Sequence, residues 1–146
     1  MRVSVVGGGS ITAAEYGATR EIGRLLGERG HVVVCGGLGG VMEAACRGAS
    51  EAGGETVGIL PGSDCRAANE FVDTPIATGM DHARNALVVL NSDAAIAVDG
   101  GPGTLSEIGH ALALGRPVAG LDSHDVSGIE ACETPREAVE HVQREA

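Results

Sequence analysis

The chain has 146 residues, of which 43% are hydrophobic and 21% charged, a balance typical of one folded domain with its own core. Its ten basic residues are all arginine, which excludes a P-loop nucleoside triphosphatase and any enzyme that forms a Schiff base through lysine. The formal charge of -10 argues against binding to nucleic acid, which requires a basic surface.

The N-terminal part alternates short apolar runs with helical patterns. Residues 3–6 form a β-branched run that predicts a buried parallel strand, and a helix is expected over residues 12–29. Residues 32–35 predict the second strand, residues 41–52 the second helix and residues 56–60 the third strand. Glycines end most of these elements, as expected for tight turns between strands and helices.

The central part is less regular. Residues 63–69 predict a loop, and residues 71–77 predict a weak strand. Asp81 is expected to cap a helix that runs to about residue 90, and residues 93–98 predict another buried strand. The next helix is expected over residues 104–114.

The C-terminal part completes the alternation. Residues 117–121 predict a further buried strand, and residues 126–131 are compatible with an edge strand. A capping box at Thr134, with proline at the first helical position, opens a last helix that ends near residue 145. We therefore expect an α/β fold in a single domain over residues 1–146: a Rossmann-like, doubly wound parallel sheet with helices on both faces.

The cysteines and the hydropathy indicate neither a metal site nor a membrane anchor. Cys35, Cys46, Cys65 and Cys132 lack metal-ligand spacing and are expected to be buried free thiols. No apolar stretch is long enough for a signal peptide or a membrane span, so a cytoplasmic location is expected.

The acid excess and the absence of lysine allow two interpretations. At molar salt the Debye length falls to about 3 Å, which screens the self-repulsion of an acidic surface, so the composition fits a halophilic protein. A GC-rich genome that favours Arg, Ala and Gly explains the missing lysine without salt adaptation. The excess of carboxylates favours the halophilic interpretation.

Glycine-rich turns follow five of the predicted strands. A tight strand-to-helix connection explains each turn taken alone, but parallel strands end on one edge of the sheet, where such folds bind ligands. Helix N-termini provide backbone N–H groups for anions there. We therefore expect a phosphate-bearing ligand, no covalent cofactor, and contacts from Gly8, Gly9, Ser10, Gly36, Gly37, Gly39, Gly40, Pro61, Gly79, Met80, Gly100, Gly101 and Gly103. The strict dinucleotide fingerprint is incomplete, which disfavours NAD.

Polar side chains beside these turns extend the candidate site. An arginine in the first helical turn, Arg84, opposes the helix dipole unless it meets an anion; the alternative is a solvated side chain or an ion pair with Asp81. Thr104 can bind a phosphate, and Glu107 can bind a ribose hydroxyl or act as an acid or base, unless the two only form a capping box. His110 is expected to be a partly buried helix residue.

Several motifs resemble those of the Lonely Guy (LOG)-like, or SLOG, superfamily. Residues 36–43 and 53–62 are similar to its second and third βα units, and residues 99–107 resemble its PGGxGTxxE motif. Residues 79–85 are similar to the corresponding motif in the branch of the superfamily that contains molybdenum-cofactor carrier proteins and DprA-related proteins. The resemblance extends over residues 3–121 and implies a bound nucleotide or molybdenum cofactor and a homo-oligomer, either a dimer or a tetramer.

In LOG enzymes, the arginine and glutamate of these motifs serve cleavage of the N-glycosidic bond of a nucleoside 5′-monophosphate. The resemblance therefore implies catalytic roles for Arg84 and Glu107 if the chain is a hydrolase. Two positions depart from the family pattern: Asn85 replaces a lysine that binds phosphate, and Asp99 replaces a proline. The label lysine decarboxylase, often attached to such proteins, has no chemical basis in a chain without lysine.

Three functions remain open from the sequence. The first is a binding or carrier protein for a phosphorylated, nucleotide-like ligand such as molybdenum cofactor, with Asn85 and Thr104 among the binding residues. The second is a phosphoribohydrolase that releases free base from a nucleoside monophosphate. The third is a regulatory or nucleotide-sensing module that acts through oligomerisation. Asparagine at position 85 indicates a different ligand or a different role from that of a LOG enzyme, because arginine would be the natural replacement if salt adaptation alone had removed the lysine.

Overall fold

Seven strands form one parallel sheet in a computed structural model that describes residues 1–146. The strands are β1 (Arg2–Gly7), β2 (Val32–Cys35), β3 (Thr56–Leu60), β4 (Thr74–Ala77), β5 (Ala94–Val98), β6 (Val118–Leu121) and β7 (Ile129–Ala131). Their order across the sheet is β4-β3-β2-β1-β5-β6-β7, and every neighbouring pair is parallel. The α/β fold with a doubly wound parallel sheet is thereby confirmed.

Helices cover the two faces of the sheet unequally. One face carries α1 (Ala13–Glu28), α2 (Val41–Glu51) and α5 (Pro135–Glu145), and the other carries α3 (Asn85–Leu90) and α4 (Pro102–Ala113). A cluster of 17 buried residues lies under the first three helices. Smaller clusters of 6 and 4 buried residues lie under α3 and α4. The larger part of the core is therefore on the side of α1, α2 and α5.

Glycines allow α1 and α2 to pack closely. A methyl group at Gly23 would lie 2.0 Å from the carbonyl oxygen of Ala45, and one at Gly48 would lie 1.9 Å from that of Arg20. Both distances are far below van der Waals contact, so no larger residue fits at either position without separating the helices.

The ends of several elements differ from the expectation. The strand expected over residues 71–77 is limited to β4, because side-chain bonds occupy the residues before it: Thr56 Oγ1 donates to Phe71 O at 2.6 Å, and Thr56 N–H donates to Asp73 Oδ2 at 2.9 Å. The segment 126–131 contributes the short edge strand β7. The capping box at Thr134 is confirmed, with Glu137 N–H 3.2 Å from its hydroxyl.

Two helix caps that the sequence allowed are not formed. Asp81 caps nothing with its side chain: it has a left-handed backbone (φ 49°) and begins a 3₁₀ turn, Asp81–Arg84, after which α3 starts. Thr104 and Glu107 do not form a capping box, because α4 begins two residues earlier than expected, with Pro102 in its first turn and Gly101 as the N-cap. Thr104 and Glu107 are instead buried on the inner side of the helix.

Some burial expectations are also corrected. Cys35 and Cys46 are buried, with their sulfur atoms 3.4 Å apart, but Cys65 is exposed and Cys132 is half-buried. His110 is exposed on α4 rather than partly buried. None of the helices has the length and hydropathy needed to span a bilayer. No cluster of three or more His, Cys, Asp or Glu side chains is arranged to hold a metal ion.

Candidate functional site

A crevice opens on the carboxyl edge of the sheet, at the point where the chain reverses its winding. β1 and β5 are neighbours, and the helices that follow them, α1 and α4, pack on opposite faces. Loops diverge at such a point and leave a crevice in which α/β proteins bind ligands. A cavity of about 400 Å³ opens there. This volume is within the range of roughly 300–1,000 Å³ that is usual for small-molecule sites.

The cavity brings together much of the expected site. The expected residues that line it are Gly8, Gly9, Gly36, Pro61, Arg84, Asn85, Gly101, Gly103, Thr104 and Glu107. The expected residues outside its lining are Ser10, Gly37, Gly39, Gly40, Gly79, Met80 and Gly100. The five glycine-rich turns therefore share one edge, but the turn after β4 does not reach the cavity.

Three of the glycines outside the lining shape the loops from behind. Gly37, Gly40 and Gly100 all have positive φ angles, of 81°, 63° and 111°. A methyl group at Gly100 would lie 2.3 Å from Thr104 Oγ1, and one at Gly40 would lie 2.3 Å from the carbonyl oxygen of Gly8. These glycines are required by backbone conformation and by close approach.

The cavity also has lining residues that the sequence analysis missed: Val5, Val6, Gly7, Leu38, Met42, Asp81, His82 and Pro102. Leu38 lies within the glycine-rich turn after β2, and Met42 lies in the helix that follows it. Their closeness in sequence to these glycines could have identified them as lining residues. Val5 and Val6 look like ordinary strand residues and carry no such signal.

Open backbone N–H groups surround the cavity. Those of Gly8 and Gly9, after β1, and those of Gly103 and Thr104, in the first turn of α4, have no hydrogen-bond partner within the chain. The N-terminus of α4 adds the positive end of its helix dipole. Donors of this kind bind phosphate and other oxyanions without a charged side chain. The site can therefore hold an anion although it contains no lysine.

Arg84 forms part of the floor of the cavity. Its Nε donates to Ile59 O at 2.8 Å and its Nη2 to Gly36 O at 3.3 Å, and it also bonds to the side chain of Asn85. The residue is 8% exposed, and it makes neither the ion pair with Asp81 nor the solvated arrangement that the sequence allowed. Burial lowers the pKa of Arg84, an effect that the nearby Glu107 carboxylate partly offsets. Much of its hydrogen-bonding capacity is used to join β2 and β3 to the start of α3.

Asn85 connects Arg84 to α4. Its side-chain oxygen accepts from Arg84, and its Nδ2 donates to Ser106 Oγ at 3.3 Å and to Gly103 O at 3.5 Å. The residue is 4% exposed. A lysine in this place would put a second cation beside the buried Arg84, whose own bonds go to carbonyl oxygens and to the side chain of Asn85. The asparagine thus supports the first turn of α4, where the open N–H groups lie.

Glu107 is a buried carboxyl group without a hydrogen-bond partner in the chain. It is 7% exposed and lines the cavity from the second turn of α4. Burial raises its pKa to about 7, and the opposing effect of Arg84 is smaller. A group of this kind can donate or accept a hydrogen bond near neutral pH, so it can contact a polar ligand group.

Asp99, at the end of β5, also has a left-handed backbone, with φ 50°. Its carbonyl oxygen accepts from Ser123 Oγ at 2.8 Å, while His124 Nε2 lies 3.0 Å from Gly101 O. Proline cannot adopt a positive φ, so this backbone conformation differs from one with proline at the same position. Ser123 and His124, which follow β6, therefore hold the loop that contains Asp99 in place.

Comparison with protein families and curated proteins gives matches along nearly the whole chain. The model of the SLOG cluster4 family matches residues 1–146. A curated but uncharacterized protein from Archaeoglobus fulgidus is 46% identical over 142 residues, which are 97% of this chain and 93% of that protein.

Solved structures with the same architecture include two molybdenum cofactor proteins. The molybdenum cofactor binding protein of Rippkaea orientalis has a TM-score of 0.92 and 33% identity, over 98% of this chain and 95% of that one. The molybdenum cofactor carrier protein of Chlamydomonas reinhardtii has a TM-score of 0.90 and 31% identity, over 98% and 96%. DNA processing protein A of Helicobacter pylori, at 22% identity and a TM-score of 0.68 over 89% and 68%, shares the fold.

Proposed function

Since this chain belongs to the SLOG cluster4 family, we propose that it is a binding and carrier protein for a phosphorylated, nucleotide-like ligand, and that molybdenum cofactor is this ligand. The observation that carries the proposal is the set of open N–H groups of Gly8, Gly9, Gly103 and Thr104 around a cavity of about 400 Å³. The similarity to molybdenum cofactor binding and carrier proteins over nearly the full chain supports the identity of the cargo.

The chemistry of the lining matches a phosphorylated organic molecule. The phosphate is held by the glycine loop after β1 and by the first turn of α4, where the helix dipole favours negative charge. Leu38 and Met42 provide apolar contacts for the organic part of the ligand. Glu107, partnerless and buried, is available for a hydrogen-bonding group of the ligand. This division into an anion cradle, apolar contacts and a few polar groups is usual for small-molecule sites.

A phosphoribohydrolase has one observation in its favour, the raised pKa of Glu107, which suits a general acid or base near neutral pH. Two features weigh against it. Arg84 bonds to the carbonyl oxygens of Ile59 and Gly36 and to Asn85, and Asn85 is uncharged where the LOG enzymes have a lysine. A carrier must bind its ligand without breaking a bond in it. Backbone N–H groups that hold the phosphate meet this requirement.

The test of the anion cradle is a carboxylate placed inside it. Gly101 is the N-cap of α4, and a side chain there meets no atom within 4 Å. Aspartate at this position can accept from the N–H groups of Gly103 and Thr104, so it fills the cradle while it caps the helix. Gly62, equally open and outside the cavity lining, is the matched control for the same substitution.

The ligands for this test are AMP and inorganic phosphate. We expect AMP to raise the melting temperature of the wild type and of Gly62→Asp but not of Gly101→Asp, with no adenine detected by chromatography. Release of adenine by the wild type would support the phosphoribohydrolase instead. Equal stabilisation of Gly101→Asp would show that the phosphate does not bind at the N-terminus of α4.

A further inference from the structure

Two of the four cysteines meet in the interior of the molecule. Cys35 is the last residue of β2, and Cys46 lies on the buried side of α2. Their sulfur atoms are 3.4 Å apart, and neither side chain is exposed to solvent. Because a disulfide bond is about 2.05 Å long, an approach of roughly 1.4 Å between the two sulfur atoms is enough to join them.

The surroundings of Cys35 favour its thiolate form, which is the form that attacks an oxidant. The Gly37 N–H group donates a hydrogen bond to Cys35 Sγ at 3.3 Å, and the Cys46 thiol is a second donor. The bond from Cys46 lowers the pKa of Cys35; burial opposes this, and Gly37 N–H and the charge of Arg84 lower the pKa further. The same bond raises the pKa of Cys46, which therefore keeps its proton. Cys35 thus has the properties of an attacking thiol and Cys46 those of a resolving thiol.

The loop between the two cysteines forms one wall of the candidate site. Gly36, Leu38 and Met42 line the cavity. This wall has little room to move, because a methyl group at Gly36 would lie 2.5 Å from Arg84 Nη2 and 2.7 Å from the sulfur of Met42. An approach of Cys46 to Cys35 draws α2 and the end of β2 together, so it displaces the wall that connects them.

We propose that Cys35 and Cys46 form a reversible disulfide bond when a peroxide oxidises the protein, and that this bond reshapes the cavity wall over residues 36–42. This inference goes beyond the proposed function and does not depend on it. It assigns a modification site to a pair of thiols that the proposed function does not use.

The reaction has two steps. The Cys35 thiolate attacks one oxygen of hydrogen peroxide, the O–O bond breaks, and a sulfenic acid and hydroxide form. The sulfur of Cys46 then attacks the sulfenic sulfur and gives up its proton, and the sulfenic oxygen leaves as water. The hydroxide takes up the proton that Cys35 had lost, so the two thiols lose two electrons and two protons while the peroxide becomes two molecules of water. A dithiol reductant reverses the bond by thiol–disulfide exchange.

The other two cysteines provide the contrast. Cys65 is exposed and Cys132 is half-buried, and each sulfur lies near a carbonyl oxygen, that of Pro75 or of Glu130, at 3.7 Å. A peroxide reaches Cys65 directly, but no second thiol is bonded to it within the chain. The buried pair reacts only when the loop over Cys35 opens, so we expect it to react more slowly than Cys65 and to end in a disulfide bond.

The positions of the arginines allow trypsin to separate the three sites. Cys35 and Cys46 share one peptide, residues 30–47, while Cys65 lies in residues 48–66 and Cys132 in residues 85–136. A bond between Cys35 and Cys46 lowers the mass of the peptide 30–47 by two hydrogen atoms, whereas any other pairing joins two peptides. The folded protein is treated with hydrogen peroxide, its free thiols are alkylated in denaturant, and the digest is weighed by mass spectrometry.

The effect on the cavity is measured without any ligand, by the backbone amide resonances before oxidation, after it and after reduction with a dithiol. Reduction restores a disulfide but not an oxidised methionine, so it separates the cysteine bond from oxidation of Met42. Cys65→Ala is the matched variant, because it removes the exposed thiol and leaves the buried pair intact.

We expect the majority of wild-type and Cys65→Ala chains to lose two hydrogen atoms from the peptide 30–47 and to regain them on reduction. We expect the amide resonances of Gly36, Gly37 and Arg84 to shift and return, while those of α5 stay unchanged. The proposal is overturned if the peptide 30–47 keeps both thiols after Cys65 has been oxidised, or if Cys35 is oxidised without bonding to Cys46. A disulfide bond that leaves the resonances of residues 36–42 unchanged also overturns it, because the bond would then not affect the cavity.

Discussion

The guanidinium group of Arg84 donates a hydrogen bond to the side-chain oxygen of Asn85, and both side chains are almost fully buried. Through this pair, the ends of β2 and β3 are connected to the first turn of α4. The two positions that correspond to the substrate-binding arginine and lysine of LOG enzymes here hold Arg84 and Asn85, whose side chains connect the walls of the cavity. The consequences for stability, binding and pH dependence can be measured one at a time.

Asn85→Ala removes the link to α4. Gly103 O and Ser106 Oγ lose a donor, and one N–H of Arg84 is left without its acceptor, so we expect the free energy of unfolding to fall by about 1–3 kcal/mol. Urea denaturation measures this. Asn91→Ala, which removes an exposed amide bonded to Leu87 O, is the control and should cost under about 1 kcal/mol. Equal losses for the two variants would contradict a supporting role for Asn85.

Arg84→Lys keeps the charge but not the planar arrangement of donors. A single ammonium group cannot reproduce the bonds to Ile59 O, Gly36 O and Asn85, so we expect a loss of about 1–3 kcal/mol in the free energy of unfolding. Arg66→Lys is the matched control, because the Arg66 side chain is 91% exposed, and it should change the stability by less than about 0.5 kcal/mol. If Arg84 served only to attract a ligand, Arg84→Lys would be equally harmless without ligand.

Gly36→Ala tests how closely the cavity wall approaches Arg84. The added methyl group would lie 2.5 Å from Arg84 Nη2 and 2.7 Å from the sulfur of Met42, so both side chains must move. We expect a loss of about 1–3 kcal/mol in stability and weaker binding of AMP, measured by urea denaturation and by calorimetry. Gly9→Ala, at an open position of the same cavity, should be within about 0.5 kcal/mol of the wild type. If Gly36→Ala is as stable as Gly9→Ala, the side chains of Arg84 and Met42 can move away from the added methyl group without loss of stability, which would contradict this prediction.

Glu107 makes stability depend on pH in a defined direction. Its pKa is raised by burial from 4.5 to about 7, so the folded state holds the proton more tightly than the unfolded state. The free energy of unfolding therefore falls as the pH rises from about 4.5 to about 7, by about 3 kcal/mol for this group. We expect Glu107→Gln to be more stable than the wild type by about this amount at pH 8, and about equally stable below pH 4.5. Urea denaturation at each pH gives the free energy of unfolding of both proteins. An equal change of this free energy with pH in the two proteins would contradict the prediction.

Salt distinguishes the two interpretations of the composition. If the acidic surface is adapted to high salt, the free energy of unfolding rises with KCl, because screening weakens the mutual repulsion of a chain of net charge -10. Thermal unfolding at about 0.1 M and about 2 M KCl measures the change. A melting temperature that does not increase with KCl would favour genome composition as the reason for the missing lysine.

The fold could be predicted almost completely from local patterns. Short apolar runs bounded by glycine identified β2 and β3 to the residue, because buried parallel strands are continuously hydrophobic. The start of α4 was placed too late, because the threonine and glutamate spacing of a capping box is equally compatible with two positions inside the helix. The membership in the SLOG superfamily was predicted correctly from the glycine motifs.

The sequence predicts at which edge of the sheet the candidate site lies, but it does not predict the contacts within it. The edge of the sheet follows from strand order alone, whereas the partners of Arg84 do not: Ile59 and Gly36 lie 25 and 48 residues away in the chain.

The molybdenum content of the purified protein tests the central claim most directly. The chain, Gly101→Asp and Gly62→Asp are each produced in cells that make molybdenum cofactor, and the molybdenum per chain is determined by mass spectrometry. We expect molybdenum on the wild type and on Gly62→Asp, and at least about tenfold less on Gly101→Asp, because a carboxylate then occupies the N–H groups at the start of α4. A wild-type protein that carries no more molybdenum than Gly101→Asp would contradict a carrier function for this cofactor.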